Sequence, residues 1–124
     1  MATSKIKGKT GTTLQAVTIT PVAGAVVGAA TAYLEGNLLK INAVLNLTGL
    51  TFANNDVLIT ISGYKAVGRS DFWAHCESDA NNAKVKVVIT NNSSEVKISA
   101  VANCKLSGFV GFYDFNLLIP VVPV

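Results

Sequence analysis

Apolar and polar residues alternate along most of the chain. From Leu39 to Leu47 every odd-numbered side chain is apolar, and Lys40, Asn42 and Asn46 stand between them. A period of two fits a half-buried β-strand and does not fit a helix, whose period is 3.6 residues. The same alternation recurs in three later segments, 57–61, 84–90 and 95–101.

Turn residues separate these segments. Gly36-Asn37 follows Glu35 and predicts a two-residue hairpin. The small residues of 25–32 allow either a helical turn or a strand, and the β-branched Val26 and Val27 favour a strand. The last apolar segment is expected to end at Pro120. The pattern thus predicts about eight short strands, in segments 13–20, 25–32, 37–47, 57–61, 71–77, 84–90, 95–101 and 106–119.

Closely spaced short strands without a helix predict an all-β fold, an antiparallel β-sandwich of jelly-roll-like form. Residues 1–12 are polar, glycine-rich and aperiodic, so we expect a flexible N-terminal tail there. Residues 13–124 are expected to form one β-sandwich domain, which is large enough for a single core.

The composition is apolar for a small domain. Half of the 124 residues are hydrophobic, 14% are charged, and the net charge is +3. Either the outer faces are rich in Thr, Ser and Asn, or partner chains cover apolar surface. Lys84, Lys86 and Lys97 alternate with apolar residues, which indicates a solvated strand face. A nucleic-acid partner, which would need a basic patch interleaved with aromatic residues, is not expected.

Several classes of site are not expected. The segment 22–32 is too short to span a membrane and the N-terminus lacks the pattern of a signal peptide, so we expect synthesis in a cytoplasm and no membrane insertion. Cys76 and Cys104 are better explained as two reduced thiols than as a disulfide. His75 is the only histidine and has no spacing partner, so neither a metal site nor a cofactor is predicted.

The densest group of chemically active residues is the segment DFWAHCE, residues 71–77. On a strand, Asp71, Trp73, His75 and Glu77 share one face, and Cys76 lies on the other. Asp71 and His75 would then be about 13 Å apart, too far for a hydrogen bond, and a Cys–His pair is excluded by the alternation. Two interpretations remain, an outward polar face with Trp73 packed on a neighbour, or a ligand groove lined by Trp73 and His75. An enzyme is not predicted, and a small hydrolase is the least favoured class.

Two other places carry candidate binding residues. The loop 63–69 contains Tyr64 and Arg69. It lacks the spacing of a phosphate-binding loop, which favours a structural turn, although its aromatic and cationic side chains could contact a saccharide phosphate or an acidic surface. Tyr113 and Asp114 in the last strand are a second candidate, although core packing is the more common role of aromatic rings there.

The order of these features resembles the C-terminal head domain of bacteriophage receptor-binding and tail-fibre (baseplate) proteins. In that group a short aliphatic strand leads into a Gly-Tyr-Arg/Lys loop, an aromatic strand and a Lys/Val hairpin with a polar turn. Here these are residues 59–62, Gly63-Tyr64-Lys65, Phe72-Trp73 and residues 85–98. Ala66 stands where that group often has a proline. The resemblance extends over residues 37–119 of the 124.

The resemblance implies a trimeric β-sandwich that binds cell-wall saccharide without a cofactor, in a virion assembled in the host cytoplasm together with other virion proteins. A trimer would cover apolar side chains on otherwise polar faces. The alternative is a purely structural virion component, such as a decoration, connector or baseplate piece, that binds only other proteins. The predicted saccharide contacts are Asp71, Trp73, His75, Tyr64 and Arg69, and the predicted oligomer contacts are Val44, Val88, Val110, Phe112 and Leu118.

Overall fold

The computed structural model describes residues 5–7, 13–76 and 84–124. In this part of the chain every regular element is a β-strand, so the predicted all-β fold is confirmed. The strands are β1 (Lys5–Lys7), β2 (Thr13–Ala16), β3 (Ile19–Pro21), β4 (Val26–Glu35), β5 (Leu38–Asn46), β6 (Val57–Ile61), β7 (Tyr64–Ala66), β8 (Ser70–His75), β9 (Lys84–Ile89), β10 (Glu95–Ile98) and β11 (Phe112–Pro123).

These eleven strands include the eight expected segments and three additions. The segment 13–20 is divided into β2 and β3, and β7 lies in the predicted loop 63–69. Strand β1 lies inside the predicted N-terminal tail, where Ile6 is the register partner of Leu14 in β2. The ambiguous segment 25–32 is a strand, and the hairpin at Gly36-Asn37 joins β4 to β5 as predicted.

The strands form one antiparallel sheet in the order β1-β2-β4-β5-β11-β8-β9-β10-β6-β3, with β7 paired to the end of β11. The chain segment from β2 to β3 connects the two ends of this order. Strand β2 pairs with β4 near one end, and β3 pairs with β6 at the other. Between them the Val17 N–H donates to the Ala32 carbonyl, and the Ser62 N–H donates to the Thr18 carbonyl. The sheet is therefore curled on itself, in a sandwich or barrel-like form.

Strand β11 lies in the middle of the sheet. It pairs with β5 over nine positions, from Phe112 to Pro120, and its other side meets β8 and β7. The prediction that the last strand runs over 106–119 was wrong at both ends, because residues 106–111 are irregular and the strand continues to Pro123.

Strand β11 continues through Pro120 because the backbone carbonyl and nitrogen of this proline face away from β5. The Pro120 carbonyl accepts a hydrogen bond from the Val67 N–H, on the side away from β5. Since the N–H and C=O of a strand residue point to the same side, the N–H that proline lacks is not needed in the β5 ladder.

The core contains the side chains that alternation placed inward. In β11 every second residue, from Tyr113 to Val121, is at most 2% exposed. The long connection before β11 adds Phe109, whose ring meets those of Phe52 and Tyr113 edge to face, with centroids 5.6 Å apart in each pair. Each fully buried large aliphatic side chain contributes about 1.5–3 kcal/mol before chain entropy is subtracted. The predicted inward faces of β5, β9 and β10 are confirmed.

Candidate functional site

The outward side chains of β8, β9 and β10 form the candidate site. In the register of the sheet Trp73 lies opposite Lys86, Asp71 opposite Val88, and His75 opposite Lys84. Phe72 and Ala74, between them, point toward the core. We call this surface the Trp73 face, and its polar and aromatic members are Asp71, Trp73, His75, Lys84, Lys86, Glu95 and Lys97.

Trp73 is 40% exposed although it lies in the middle of a strand. The ammonium nitrogens of Lys84 and Lys86 lie 5.2 and 5.9 Å from the centroid of its ring. Cation–π contacts at exposed sites contribute about 0.5–1 kcal/mol each. Since both lysines belong to β9, they approach the indole from that strand.

Asp71 holds a small network of charges beside the indole. The guanidinium of Arg69 donates to both carboxylate oxygens, at 2.8 and 3.3 Å, and the Lys86 ammonium lies 3.4 Å from Oδ2. The hydrogen bond from Arg69 lowers the pKa of Asp71 below its ordinary value, and the same contact raises the pKa of Arg69. Asp71 therefore stays ionised, and it fixes the side chain of Arg69 at one end of the Trp73 face.

His75 lies at the other end of the same face. It is the register partner of Asp114 in β11 on one side and of Lys84 in β9 on the other. Its neighbour Cys76 is buried, with Sγ 2.9 Å from the Val110 carbonyl oxygen. The imidazole and the thiol therefore point to opposite sides of the strand, as alternation predicted.

A polar cleft of about 200 Å³ lies at the Arg69 end of the Trp73 face. We call it the Lys97 cleft. Its floor includes the side chain of Val88, which is 9% exposed, whereas the side chain of Ile98 belongs to the core. The Asn54 side-chain oxygen accepts a hydrogen bond from the Ala100 N–H at 3.0 Å. The lining residues are Asn54, Asn55, Arg69, Val88, Thr90, Lys97, Ile98 and Ser99.

The structure brings four of the five predicted saccharide contacts together. Tyr64 lies apart from them, in β7, where it packs against the core and its hydroxyl lies 3.4 Å from the Gln15 side-chain nitrogen. Its position follows from pairing with the end of β11, which the loop-like sequence 63–69 did not indicate. Glu77, the fourth member of the predicted polar face, lies outside the described residues.

Sequence reasoning missed the contribution of the neighbouring strands. Lys84, Lys86 and Lys97 were interpreted as a solvated face, and Asn54 and Ser99 had no signal at all. The available signal was the alternation of Lys84 and Lys86 with buried valines, which places both lysines on the outer side of a strand. Only the strand order shows that this strand lies next to Trp73.

The predicted oligomer contacts are divided between two surfaces. Val44, Phe112 and Leu118 point outward from β5 and β11, and Val110 precedes β11. We call the outer surface of β4, β5 and β11 the Phe112 face. Val88 lies on the Trp73 face instead, in the floor of the Lys97 cleft.

The Phe112 face carries two apolar patches. At one end Phe112 and Val26 are the two register partners of Asn46, and the Phe112 ring packs over Gly28, where a Cβ would lie 3.2 Å from the ring. At the other end Leu118 and Leu38 are 53% and 44% exposed. Six residues of strand, about 20 Å, separate the two ends, and rows of polar residues such as Asn42 and Asn116 lie between them.

Residues 5–7, 13–76 and 84–124 contain no cluster of three or more His, Cys, Asp or Glu side chains able to hold a metal ion. Nor does this part of the chain contain a helix long and apolar enough to cross a membrane. Both cysteines are free thiols.

Comparison of the chain with protein-family models, with curated proteins and with solved structures found no match. The resemblance to phage head domains therefore stays a prediction from the sequence pattern.

Proposed function

We propose that this chain is a non-enzymatic adhesion domain that binds carbohydrate on the Trp73 face. We propose that the domain acts in a virion, at the bacterial cell surface, because residues 37–119 resemble phage receptor-binding head domains. The choice of a saccharide as ligand comes from the side chains of the face itself.

The exposed indole of Trp73 supports this proposal most directly. A tryptophan at 40% exposure keeps a large apolar ring in contact with water, which is unfavourable unless a ligand covers it. The apolar C–H faces of a sugar ring can stack on such a ring, and charged or amide groups around it can bond the sugar hydroxyls. Asp71, His75 and the two lysines supply those polar groups beside the indole.

The contact between the two lysines and the indole also lowers the entropy cost of binding a ligand. The contacts with Lys84 and Lys86 favour the observed orientation of the ring over others, so less side-chain entropy is lost when a ligand stacks on it. Asp71 and Arg69 restrict each other in the same way through two hydrogen bonds.

Binding of Trp73→Ala to purified bacterial cell-wall saccharides and to a glycan array tests the proposal. We expect this variant to lose at least about tenfold in affinity, because tryptophan is among the residues that dominate binding energies. The matched control is Phe112→Ala, which removes an aromatic ring of similar exposure from the other face. Circular dichroism and thermal melts check that both variants fold.

Loss of saccharide binding in Trp73→Ala and its retention in Phe112→Ala would support the proposal. Equal affinities of the wild type and Trp73→Ala, or no glycan bound by the wild type at millimolar saccharide, would refute it.

A specific observation favours a second candidate, the purely structural virion component. Val26, Phe112 and Leu118 are 61%, 43% and 53% exposed on the Phe112 face. Burial of such patches against other protein chains, as in a trimer, would remove that apolar area from water. The two candidates use different faces, so variants on each face separate them.

A further inference from the structure

We infer that the Lys97 cleft is an oxyanion subsite that takes the carboxylate, sulfate or phosphate substituent of an acidic saccharide. The saccharide part of this inference rests on the proposed function. The oxyanion part rests on the cleft alone, and the two parts can be tested separately.

The side chains that line the cleft are rich in hydrogen-bond donors. Arg69 and Lys97 are donors only, and Thr90 and Ser99 carry hydroxyls that can donate. Because the Asn54 oxygen is occupied by the Ala100 N–H, the end of that amide left for a ligand is its NH₂ group, also a donor. No carboxylate is among the lining residues, so the cleft suits an acceptor and does not suit a cation.

The charges around the cleft also favour an anionic ligand. Asp71 and Glu95, the acids that pair with Arg69 and Lys97, are outside the lining. The Lys97–Glu95 contact is 3.7 Å long and both side chains are more than one third exposed, so it is a weak pair that a ligand can replace. Hydrogen bonds from a cation to an ionised oxygen are roughly twice as strong as neutral ones.

The size of the cleft fits a substituent. A water molecule takes up about 30 Å³ of liquid, so a volume of about 200 Å³ has room for a sulfate, a phosphate or a carboxylate with its attached carbon. The apolar side chain of Val88 lies beneath the group, and a lower local dielectric strengthens contacts between the group and the surrounding donors.

The position of the cleft relative to Trp73 connects it to the saccharide. Val88 in its floor is the register partner of Asp71, and Asp71 is two residues from Trp73 along β8. That separation is about 6.6 Å, close to the size of one sugar ring. A sugar stacked on the indole therefore places the acidic group of that sugar, or of the next one, at the cleft.

Two pairs of measurements test the inference. Oligogalacturonate and its methyl ester share one backbone but differ in charge, and their affinities for the intact chain are compared by calorimetry at low salt. Inorganic phosphate and sulfate are titrated separately, with amide shifts of Val88, Thr90 and Ser99 as the readout. The variant is Lys97→Gln, and the control is Lys40→Gln, which removes the same charge from the Phe112 face.

We expect oligogalacturonate to bind about tenfold more tightly than its ester, as one charge-assisted contact predicts. Lys97→Gln should remove most of this preference and Lys40→Gln should keep it. The inference is overturned if acid and ester bind equally, or if the two variants lose the preference to the same extent, since that would be a general effect of charge.

The inorganic anions separate this inference from the proposed function. If phosphate or sulfate shifts the cleft amides in the wild type and not in Lys97→Gln, while neither saccharide binds, the oxyanion site stands and the saccharide function fails. If both saccharides bind through Trp73 and no anion shifts the cleft amides, the saccharide function stands and the cleft has no part in it.

Discussion

The Trp73 face and the Phe112 face are built from the same kind of alternating strand, but they present different side chains to the solvent. On the Trp73 face each exposed aromatic or acidic group has a charged neighbour, as in the contacts of Lys84 and Lys86 with Trp73 and of Arg69 with Asp71. On the Phe112 face Lys40 is the register partner of the exposed Leu118, and Glu35 is the register partner of Leu38. The charged residues of this face, Glu35, Lys40 and Asp114, nevertheless form no ion pair within the described part of the chain.

This difference suggests a division of roles. An indole and carboxylate held by cations can bind a polar ligand without reorganisation, since their geometry is fixed in advance. Apolar patches without such partners gain free energy only when another apolar surface covers them. The first arrangement suits a saccharide, and the second suits a protein chain.

Two neighbouring leucines of β11 test which side chains of this strand point outward. Leu117 is 2% exposed and Leu118 is 53% exposed. We expect Leu117→Ala to lower the free energy of unfolding by about 2–5 kcal/mol, because it leaves a cavity. In a dissociated protomer Leu118→Ala should change it by less than about 0.5 kcal/mol. Urea unfolding at low protein concentration measures both, and similar losses would contradict the assigned faces.

The second prediction concerns association. If the Phe112 face is covered by copies of the chain, the double variant Phe112→Ala with Leu118→Ala should weaken self-association by about 30-fold, or 2 kcal/mol. Sedimentation velocity over a range of concentrations measures the change, with Trp73→Ala as the control that leaves association intact. A wild type that stays monomeric at every concentration would remove the trimer and the assembly role of this face.

The smallest expected effect concerns the charges of the Trp73 face. Because the Arg69 hydrogen bond lowers the pKa of folded Asp71, this pair stabilises the fold above the ordinary aspartate pKa of 3.8, and its contribution is lost as the pH falls through the lower folded value. Both side chains are exposed to solvent, which screens the pair, so we expect its contribution to the stability of the fold to be small.

In Arg69→Gln the pKa of Asp71 should rise toward its ordinary value, which a carbon-detected NMR titration of the carboxyl group measures. Lys40→Gln should leave that titration unchanged, because Lys40 lies on the Phe112 face. An unchanged Asp71 titration in Arg69→Gln would show that Arg69 does not hold the carboxylate in solution.

Local alternation was sufficient to predict much of the fold and the outward direction of Asp71, Trp73 and His75. It could not place Tyr64 correctly, because β7 is a strand only through its pairing with residues 121–123. Nor could it predict that β11 passes through Pro120, since the tolerance of proline depends on which neighbour its missing N–H faces. The Lys97 cleft could not be predicted at all, because Asn54 and Ser99 approach Arg69 only through the order of β6, β10, β9 and β8.

The place of β11 in the sheet has a consequence for synthesis on the ribosome. This strand follows all the others in sequence, but it pairs with β5 on one side and with β8 and β7 on the other. Until residues 112–123 have been translated, the nascent chain holds those neighbours with facing backbone edges unpaired, a state prone to aggregation. Emergence of this strand is therefore the event that allows the facing edges of β5, β7 and β8 to pair.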